Sequence, residues 1–214
     1  MALQNRVTPF GEIIAIPERG TMFGNRGGRF HDPRTRSLGN RRHSSRRWIC
    51  CELSFKGRHR QVFGEGYTEL FFLDEATALA AGHRPCFECR YADAVRFRAA
   101  FARGNHWPHL PRADEMDLLL HAQRRSASVP LEDWRNLPDG AVIALQGTAC
   151  LVSAGRLFCW SAAGYCAGPK PRSGHLRLLT APAIVAALAA GYRPRLHPSL
   201  LPLIAVHSQG SAIG

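Results

Sequence analysis

The segment Leu70–Arg90 reads LFFLDEATALAAGHRPCFECR, and expectations for the fold start from it. Its first four residues are apolar, which is typical of a short buried strand. Asp74 follows them, and its carboxylate is suited to accept the free N–H groups in the first turn of a helix. Ala76–Ala81 has strong helix propensity, and Gly82 stands where helices commonly end in a left-handed residue. The segment therefore predicts a strand, a capped helix and a glycine stop.

Two cysteines follow the predicted helix at a spacing that is typical of metal sites. Pro85 prevents the helix from resuming, and Cys86 and Cys89 come directly after it as Cys-x-x-Cys. This spacing lets both thiolates reach one ion, and zinc is the ion that such knuckles commonly hold. The alternative is a pair of buried thiols without a metal. Three later cysteines lack this spacing, and those in predicted strands are interpreted as small buried hydrophobes.

The chain is strongly basic, and most of the excess charge is local. Its 214 residues carry a formal net charge of +12. The segment Arg19–Arg60 holds twelve Lys or Arg residues against two acidic ones, which is ten of those twelve charges. Of the 28 basic residues 26 are Arg, which binds phosphates and guanine edges better than Lys, although a GC-rich genome also favours Arg. We expect a polyanionic partner: nucleic acid, DNA above all, ahead of an anionic membrane surface.

Arginines of this basic segment, with one beside the cysteine knuckle, are the expected phosphate contacts. Glycines interleaved with the first of them allow backbone N–H groups to approach phosphates closely. The alternative is that such a run is only a solvated loop. The predicted contacts are Arg26, Arg29, Arg41, Arg42, Arg46, Arg47, Arg58, Arg60 and Arg84.

The sequence also bears on the compartment. Neither a secretory leader nor an apolar run long enough to span a bilayer is evident, so we expect a cytoplasmic protein with no membrane partner, nucleoid-associated if it binds DNA. Seven cysteines in a reducing compartment favour thiols or metal ligands over disulfides.

Hydrophobic periodicity predicts an α+β fold: a small zinc-supported β-hairpin and helix unit, two following helices, and a C-terminal β-meander closed by a helix. The stretch 19–47 is expected to be irregular. A polar, proline-containing stretch at 126–138 predicts a boundary between a basic zinc-binding domain, 1–126, and a subdomain, 139–214. Strands are expected at 11–17, 47–55, 60–64, 70–73, 141–145, 149–153 and 156–160, and helices at 76–81, 91–103, 114–125 and 181–190, the last capped by Thr180.

An internal repeat links the two halves of the chain. Ala187–Pro194 matches Ala78–Pro85 in seven of eight positions. Arg195 and Pro198 stand where the first copy has its two cysteines, so the second copy cannot hold a metal in the same way. We interpret the C-terminal subdomain as a degenerate repeat, with chance convergence on the same Gly/Pro stop as the alternative.

The residues Phe72–Cys89 resemble the N-terminal zinc domain of the Ada alkylation-response proteins. The specific part is FLDEATALAAGHRPC followed three residues on by Cys89, and Trp48–Cys51 resembles the strand that brings the first thiolate in that family. The resemblance covers residues 47–90, roughly a quarter of the chain. It implies a small zinc-structured DNA-binding unit of the kind that repairs methylated phosphotriesters.

The first half of the family pattern has diverged. The family supplies two ligands as Cys-x-x-x-Cys, whereas this chain has adjacent Cys50 and Cys51. Neighbours in a strand point to opposite faces, so only one of the pair can face the metal. Cys51 is preferred because it shares a strand face with Leu53 and Phe55.

A histidine is expected to complete a closed four-ligand zinc site. His31 is preferred because the adjacent Asp32 carboxylate is suited to orient a ligating imidazole. His59, His83 and Cys50 remain alternatives. In the Ada family one zinc thiolate accepts the methyl group, but a three-Cys, one-His site has less negative charge and a less nucleophilic sulfur, so only DNA binding and zinc are carried over. The predicted ligands are Cys51, Cys86, Cys89 and His31.

Three functions are consistent with the sequence. The first is a zinc-stiffened DNA-binding protein that acts in repair or recognises damaged or modified DNA. The second is an enzyme acting on nucleic acid, of glycosylase or nuclease type. Its acid–base groups are expected among Asn25, His31, Asp32, Glu69 and Asp74, and Trp48, Phe30 or Tyr67 would stack on a displaced base. The third is an interaction module whose basic patch meets an acidic protein. Because no nucleophile–base pair is evident, whether the chain is an enzyme stays open.

Overall fold

A computed structural model describes residues 2–59, 61–125, 129–169 and 176–208. Within these ranges the predicted α+β class is confirmed, with two six-stranded sheets, a two-stranded ribbon and five α-helices. The strands are β1 Gln4–Val7, β2 Ile13–Ala15, β3 Met22–Arg26, β4 His31–Asp32, β5 Ser37–Leu38, β6 Trp48–Cys51, β7 Leu70–Phe72, β8 Arg84–Pro85, β9 Pro130–Leu131, β10 Val142–Leu145, β11 Thr148–Ser153, β12 Arg156–Ser161, β13 Gly164–Ala167 and β14 Leu176–Leu178. The helices are α1 Glu75–Ala80, α2 Tyr91–Gly104, α3 Ala113–Arg125, α4 Pro182–Ala189 and α5 Leu200–Ser208, and a 3-10 turn spans Trp134–Asn136.

The first sheet has the order β2-β1-β7-β3-β6-β8. Strand β3 runs antiparallel between β6 and β7, while β1 and β8 add parallel pairs at the two sides. A Cβ atom at Gly24 would lie 2.2 Å from the carbonyl oxygen of Ile49. Glycine at this position is therefore what allows β3 and β6 to pair at the centre of the sheet.

The second sheet is the predicted β-meander, widened by β14 and β9. Strands β10 to β13 pair antiparallel in succession. The loops Gln146-Gly147 and Ala154-Gly155 have two residues each, all with φ between 49° and 83°, as in type I′ hairpin turns. The first three of these strands begin and end within one residue of the predicted bounds.

Helix α1 lies where the two halves of the chain meet. All six of its residues are buried. Ala78 belongs to a hydrophobic cluster with Phe72 of the first sheet, and Ala76 to a cluster with Leu151 of the second. At least one hydrophobic cluster therefore contains residues from both predicted domains, on either side of the stretch 126–138.

The N-terminus of α1 is held by polar groups from both halves. Asp74 caps the helix as predicted, since its Oδ1 accepts the N–H of Thr77 at 2.9 Å. Its Oδ2 accepts the hydroxyl of Tyr165 at 2.9 Å and the backbone N–H of His197 at 3.1 Å. The cap therefore connects Tyr165 and His197, in the C-terminal part of the chain, to the helix that precedes the cysteine knuckle.

A buried ion-pair network continues this connection. The side chains of Arg90 and Glu75 are both fully buried, with Nη2 and Oε2 2.7 Å apart. Glu75 also accepts the hydroxyl of Tyr192 at 2.5 Å and the backbone N–H of Arg195 at 2.8 Å. Asp93 accepts from Nη2 of Arg90 and from Nη2 of Arg195, each at 2.7 Å. Glu75 and Asp93 therefore neutralise the buried guanidinium of Arg90, and donors from the C-terminal part of the chain hold these carboxylates.

Both copies of the repeat end their helices in a Schellman motif. The glycine after each C-cap has positive φ, 82° at Gly82 and 99° at Gly191. The two bonds of each motif are Gly82 N–H to Leu79 O (2.9 Å) and His83 N–H to Ala78 O (2.9 Å) at α1, and Gly191 N–H to Leu188 O (3.0 Å) and Tyr192 N–H to Ala187 O (3.1 Å) at α4.

Three local predictions are wrong. The hairpin at 47–64 does not form, because β6 pairs with β3 and β8 and the described residues 61–64 form a turn. The stretch 19–47 is not irregular throughout, since it contains β3, β4 and β5. Thr180 does not cap α4; its hydroxyl oxygen accepts the N–H of Val142 at 2.9 Å, and Ala181 is the N-cap. None of the described helices combines the length and apolar character needed to cross a bilayer.

Candidate metal centre and adjoining cavity

Three cysteines converge beside the first sheet. Cys51 ends β6, Cys86 follows β8, and Cys89 precedes α2. Because β8 pairs with β6 in parallel and the N–H of Cys86 donates to the carbonyl of Cys50 at 2.9 Å, the knuckle is brought beside Cys51. The three Sγ atoms lie within 4.8 Å of one another. This cluster can hold a metal ion.

Backbone donors favour the thiolate form of the cluster. The N–H of Glu88 points to Sγ of Cys86 at 3.3 Å, and the N–H of Glu52 to Sγ of Cys89 at 3.4 Å. Hydrogen bonds from the thiols of Cys51 and Cys89 lower the pKa of Cys86 well below its usual value. In exchange, the pKa of Cys51 is raised, first by its bond to Cys86. Protons are therefore shared unequally in the cluster, and a bound cation would replace them.

Cys50 is directed away from the cluster, as the alternation of a strand requires. It is fully buried in the hydrophobic core of the first sheet. Burial raises the pKa of the Cys50 thiol, although Nη1 of Arg90 lies 3.5 Å from its sulfur. The structure thus places Cys51, and not Cys50, with the knuckle.

The histidine predicted as the fourth ligand lies elsewhere. Both ring nitrogens of His31 are engaged at 2.8 Å, Nδ1 with the hydroxyl of Thr68 and Nε2 with the carbonyl of Gly64, and the ring stacks on Phe63. His83 is fully buried against Phe72 and Trp48. Neither imidazole joins the cluster, and among the described residues no fourth His, Cys, Asp or Glu reaches all three sulfurs.

The cluster forms part of the wall of a cavity of about 350 Å³. The pleat of the first sheet explains the lining, because Phe23 and Asn25 of β3, Cys51 of β6 and Phe71 of β7 all lie on one face. The alternate residues of these strands face α1 and the hydrophobic core. One face of the sheet therefore stabilises the fold while the other lines the cavity.

Two of the predicted acid–base residues line this cavity. Glu69 is buried, and its Oε2 accepts the N–H of Phe63 at 2.8 Å. Asn25 is also buried, and its Oδ1 accepts the N–H of Gly27 at 3.0 Å. Asp74 does not line it; burial raises the pKa of Asp74, and its oxygens are occupied by the helix cap described above. Asp74 is therefore a structural residue.

Charged and aromatic side chains complete the lining. Arg19 lies over the ring of Phe71, with 4.9 Å from its Cζ to the ring centroid. Phe23 packs between Tyr67 and Phe71, with ring centroids 6.0 and 5.7 Å away. Arg58 also lines the cavity and forms a 2.7 Å ion pair with Glu88.

The predicted phosphate-binding arginines fall into three groups. Arg26 and Arg84 are buried, and Arg84 makes a two-pronged ion pair with Asp117 at 2.8 and 2.9 Å. Arg29 and Arg58 are partly exposed and pair with Glu65 and Glu88. Arg60 lies outside the described residues. The remaining four are exposed: Arg41, Arg42, Arg46 and Arg47.

Sequence reasoning missed the cavity because it missed β3. The alternation Met22, Phe23, Gly24, Asn25, Arg26 carries a strand pattern, but two charged or polar residues and a glycine obscured it. Arg19 and Phe23 were not among the candidate residues, although they lie in the basic segment.

Comparisons of the chain with protein-family models, with curated proteins and with solved structures give no match in any of the three.

Proposed function

We propose that the protein is a zinc-containing DNA-binding protein that recognises damaged or modified bases. One observation carries the proposal: a three-cysteine cluster lies in the wall of a cavity that also presents aromatic rings and arginines. The proposal keeps the zinc and DNA-binding parts of the resemblance to the Ada zinc domain.

Zinc suits the donor set. Thiolates are soft ligands that select zinc over magnesium or calcium. Tetrahedral zinc with Zn–S bonds of about 2.3 Å places its sulfurs about 3.8 Å apart. The three sulfurs here lie within 4.8 Å of one another, which is compatible with that geometry. Cys51, Cys86 and Cys89 would hold the ion, with the N–H groups of Glu52 and Glu88 supporting the thiolates.

The cavity suits an extruded base. Its volume of about 350 Å³ is within the range of small-ligand sites. Aromatic side chains are the usual stacking partners of bases taken out of a helix, each worth about 1–3 kcal/mol. Tyr67, Phe23 and Phe71 form such an aromatic group, while Asn25 and Glu69 offer hydrogen-bonding atoms near a base edge.

The charge distribution suits a phosphate backbone. Arg19 and Arg58 line the cavity, and four further arginines, at 41, 42, 46 and 47, are exposed. Ion pairing of Arg58 with Glu88 reduces its share, so the exposed group would carry most of the salt dependence.

Fluorescence anisotropy with matched labelled duplexes, one holding a single alkylated base, tests the proposal. We expect Tyr67→Ala to weaken binding to the alkylated duplex about tenfold, because a stacking contact is lost. Tyr91→Ala is the matched control, since Tyr91 is 65% exposed and lies outside the cavity. Equal affinity of both variants and of the native protein for the alkylated duplex would refute base recognition, and a flat response to salt would refute backbone binding.

A second function, hydrolysis of nucleic acid, is favoured by the count of three ligands among the described residues. Zinc held by three protein groups keeps an open position for water or substrate, whereas structural sites usually have four protein ligands. A zinc ion held by Cys51, Cys86 and Cys89 would act as a Lewis acid, with its acidity reduced by the three anionic thiolates. Glu69, buried in the cavity wall, is the group placed to accept a proton. Loss of product formation in Glu69→Gln, with zinc content retained, would support this function, and unchanged turnover would remove Glu69 from it.

A further inference from the structure

A second cleft lies on the other side of the first sheet. It shares no lining residue with the metal cavity, the name used from here on for the cavity that has Cys51, Cys86 and Cys89 in its wall. Its volume is about 670 Å³. It is lined by the last residue of β3, the first residue of β6, the C-terminal part of α3 and the segment that enters α4. Four arginines from different parts of the chain line it: Arg26, Arg42, Arg124 and Arg177.

No carboxylate lines this cleft. All sixteen Asp and Glu residues of the chain fall within the described ranges, and none of them is among the lining residues. Glu12, the acidic neighbour of the lining residue Gly11, instead lines an adjacent shallow pocket that it shares with Arg42. The wall of the cleft therefore presents guanidinium groups and no side-chain carboxylate.

Two guanidiniums are held on Trp48 at the floor of the cleft. Cζ of Arg26 lies 4.0 Å from the ring centroid of Trp48, and Cζ of Arg124 lies 4.3 Å from it. Such stacking fixes the planes of both groups. Two like charges are thus positioned on one aromatic side chain.

Their hydrogen bonds are made to neutral groups. Arg26 donates from Nη2 to the carbonyl of Gly11 at 2.8 Å, and from Nη1 to the carbonyl of Arg42 at 3.4 Å. Arg124 donates from Nε to the carbonyl of Gly82 at 2.9 Å and from Nη1 to that of Arg46 at 3.1 Å. Nη2 of Arg124 is buried without a hydrogen-bond partner among the described residues. A buried, charged donor without an acceptor is costly, which indicates a missing acceptor.

The electrostatics agree with this geometry. Burial, together with the charges of Arg124 and Arg42, lowers the pKa of Arg26 to about 9. Burial lowers the pKa of Arg124 to about 10, with Arg84 adding to the effect and Asp117 opposing it. Burial and these same two arginines hold the pKa of His83 well below its usual value. An anion in the cleft would oppose the part of each shift that comes from neighbouring arginines.

We propose that this cleft binds a phosphate group, through the guanidiniums of Arg26, Arg42, Arg124 and Arg177. Guanidinium forks match phosphate oxygens, and a phosphate with two negative charges can accept from several arginines that approach from different sides. A carboxylate carries one charge in one plane and satisfies fewer of them. The proposal goes beyond base recognition, because it concerns residues that the metal cavity does not use.

Calorimetric titration with inorganic phosphate, at constant ionic strength and with acetate as the matched carboxylate, tests the inference. We expect saturable phosphate binding at least tenfold tighter than acetate binding. Arg124→Gln should weaken it tenfold or more. Arg42→Gln should weaken it severalfold without a risk to the core, because Arg42 is exposed. Arg41→Gln, at the exposed neighbouring residue outside the cleft, should leave it unchanged.

Two further titrations separate the sources of the phosphate. A nucleoside monophosphate or a short single-stranded oligonucleotide that binds tenfold tighter than inorganic phosphate, and loses that gain in Arg42→Gln, identifies the phosphate as part of a nucleotide or a backbone. Equal affinities identify free phosphate. Absence of saturable phosphate binding, equal affinity for acetate, or an equal loss in Arg41→Gln overturns the inference. Because inorganic phosphate carries no base, these outcomes do not depend on base recognition in the metal cavity.

Discussion

The segments Ala78–Pro85 and Ala187–Pro194 share seven of eight residues, and each ends its helix in the same Schellman motif. The residues after the proline differ, and so do the roles. Cys86 follows the first copy and joins a cysteine cluster that can hold a metal ion, whereas Arg195 follows the second and binds Glu52 and Asp93, each at 2.7 Å. A helix end can thus be set by local sequence while its use is set by the next side chain.

The two copies are also connected. Arg195 and Tyr192 of the second copy contact Glu75, the first residue of α1, and Asp93 at the start of α2. The second copy therefore supports the helices on either side of the metal knuckle. The second copy has no cysteines at the corresponding positions. Tyr192 and the adjacent Arg195 instead form hydrogen bonds and an ion pair with residues that flank the first copy.

The largest expected difference between the copies is in metal content. Cys86→Ser should lower bound zinc at least about tenfold, because two thiolates retain an ion poorly. Arg195→Ser, at the corresponding position of the second copy, should retain full zinc. Elemental analysis of both purified proteins measures this, with Cys166→Ser as a control at an exposed cysteine outside the cluster. Equal zinc content in all three variants would refute the proposed metal centre.

The next largest effect is expected where the copies touch. Glu75→Gln should lower the free energy of unfolding by about 3 kcal/mol, because it leaves Arg90 buried with one carboxylate partner fewer. Urea denaturation measures the change. Glu132→Gln, at an exposed acidic residue, should stay within about 0.5 kcal/mol of the native protein. A small effect at Glu75 would mean that the contact between copies contributes little stability.

The two cap glycines offer a matched pair with a smaller effect. Gly191→Ala should cost about 1 kcal/mol, the strain of a left-handed alanine, since its Cβ meets nothing within 4 Å. Gly82→Ala should cost about 2 kcal/mol, because its Cβ would also lie 2.7 Å from Cγ of Arg124. Denaturation curves of the two variants give the comparison. Equal costs would show that the Arg124 side chain moves aside freely.

The smallest expected effect is a pH-dependent loss of stability on substitution of Asp93. Burial alone raises the pKa of Asp93, but Arg90 and, less strongly, Arg195 and Arg96 together lower it below its usual value of 3.8. Its stabilising contribution is therefore present above about pH 4 and is lost as the pH falls through the lower, folded-state pKa. Asp93→Asn should cost about 1 kcal/mol at pH 5 and less at pH 3. A cost independent of pH would show that the charge of Asp93 is not what binds the copies.

The local sequence predicted much of the fold. It also predicted the three cysteines of the cluster, but not all of the residues that line the adjoining cavity. The Asp74 cap, the Gly82 stop and the two-residue hairpin loops depend on neighbours in the chain, so their residues sufficed. Cys51 was chosen over Cys50 by strand alternation, and the cluster contains it. These inferences needed only the geometry of single elements.

Long-range pairing could not be predicted in the same way. Strand β6 pairs with β3 and β8, and no local pattern distinguishes those partners from residues 60–64. The burial of Arg26 depends on Trp48 and on the carbonyl of Gly11, so its local sequence does not indicate it. His31 has an adjacent carboxylate, as a ligand would, but tertiary contacts commit its ring to Thr68 and Gly64.

The cap of α1 has a consequence for biosynthesis. Asp74 and Glu75 receive donors from Tyr165, Tyr192 and His197, which leave the ribosome about 90 to 120 residues later. Until then, two acidic side chains and a wholly apolar helix face lack their partners. Contacts of such long sequence separation form late and slowly. The cysteine knuckle, although complete in sequence by residue 89, therefore acquires its final surroundings only after the last third of the chain has been translated.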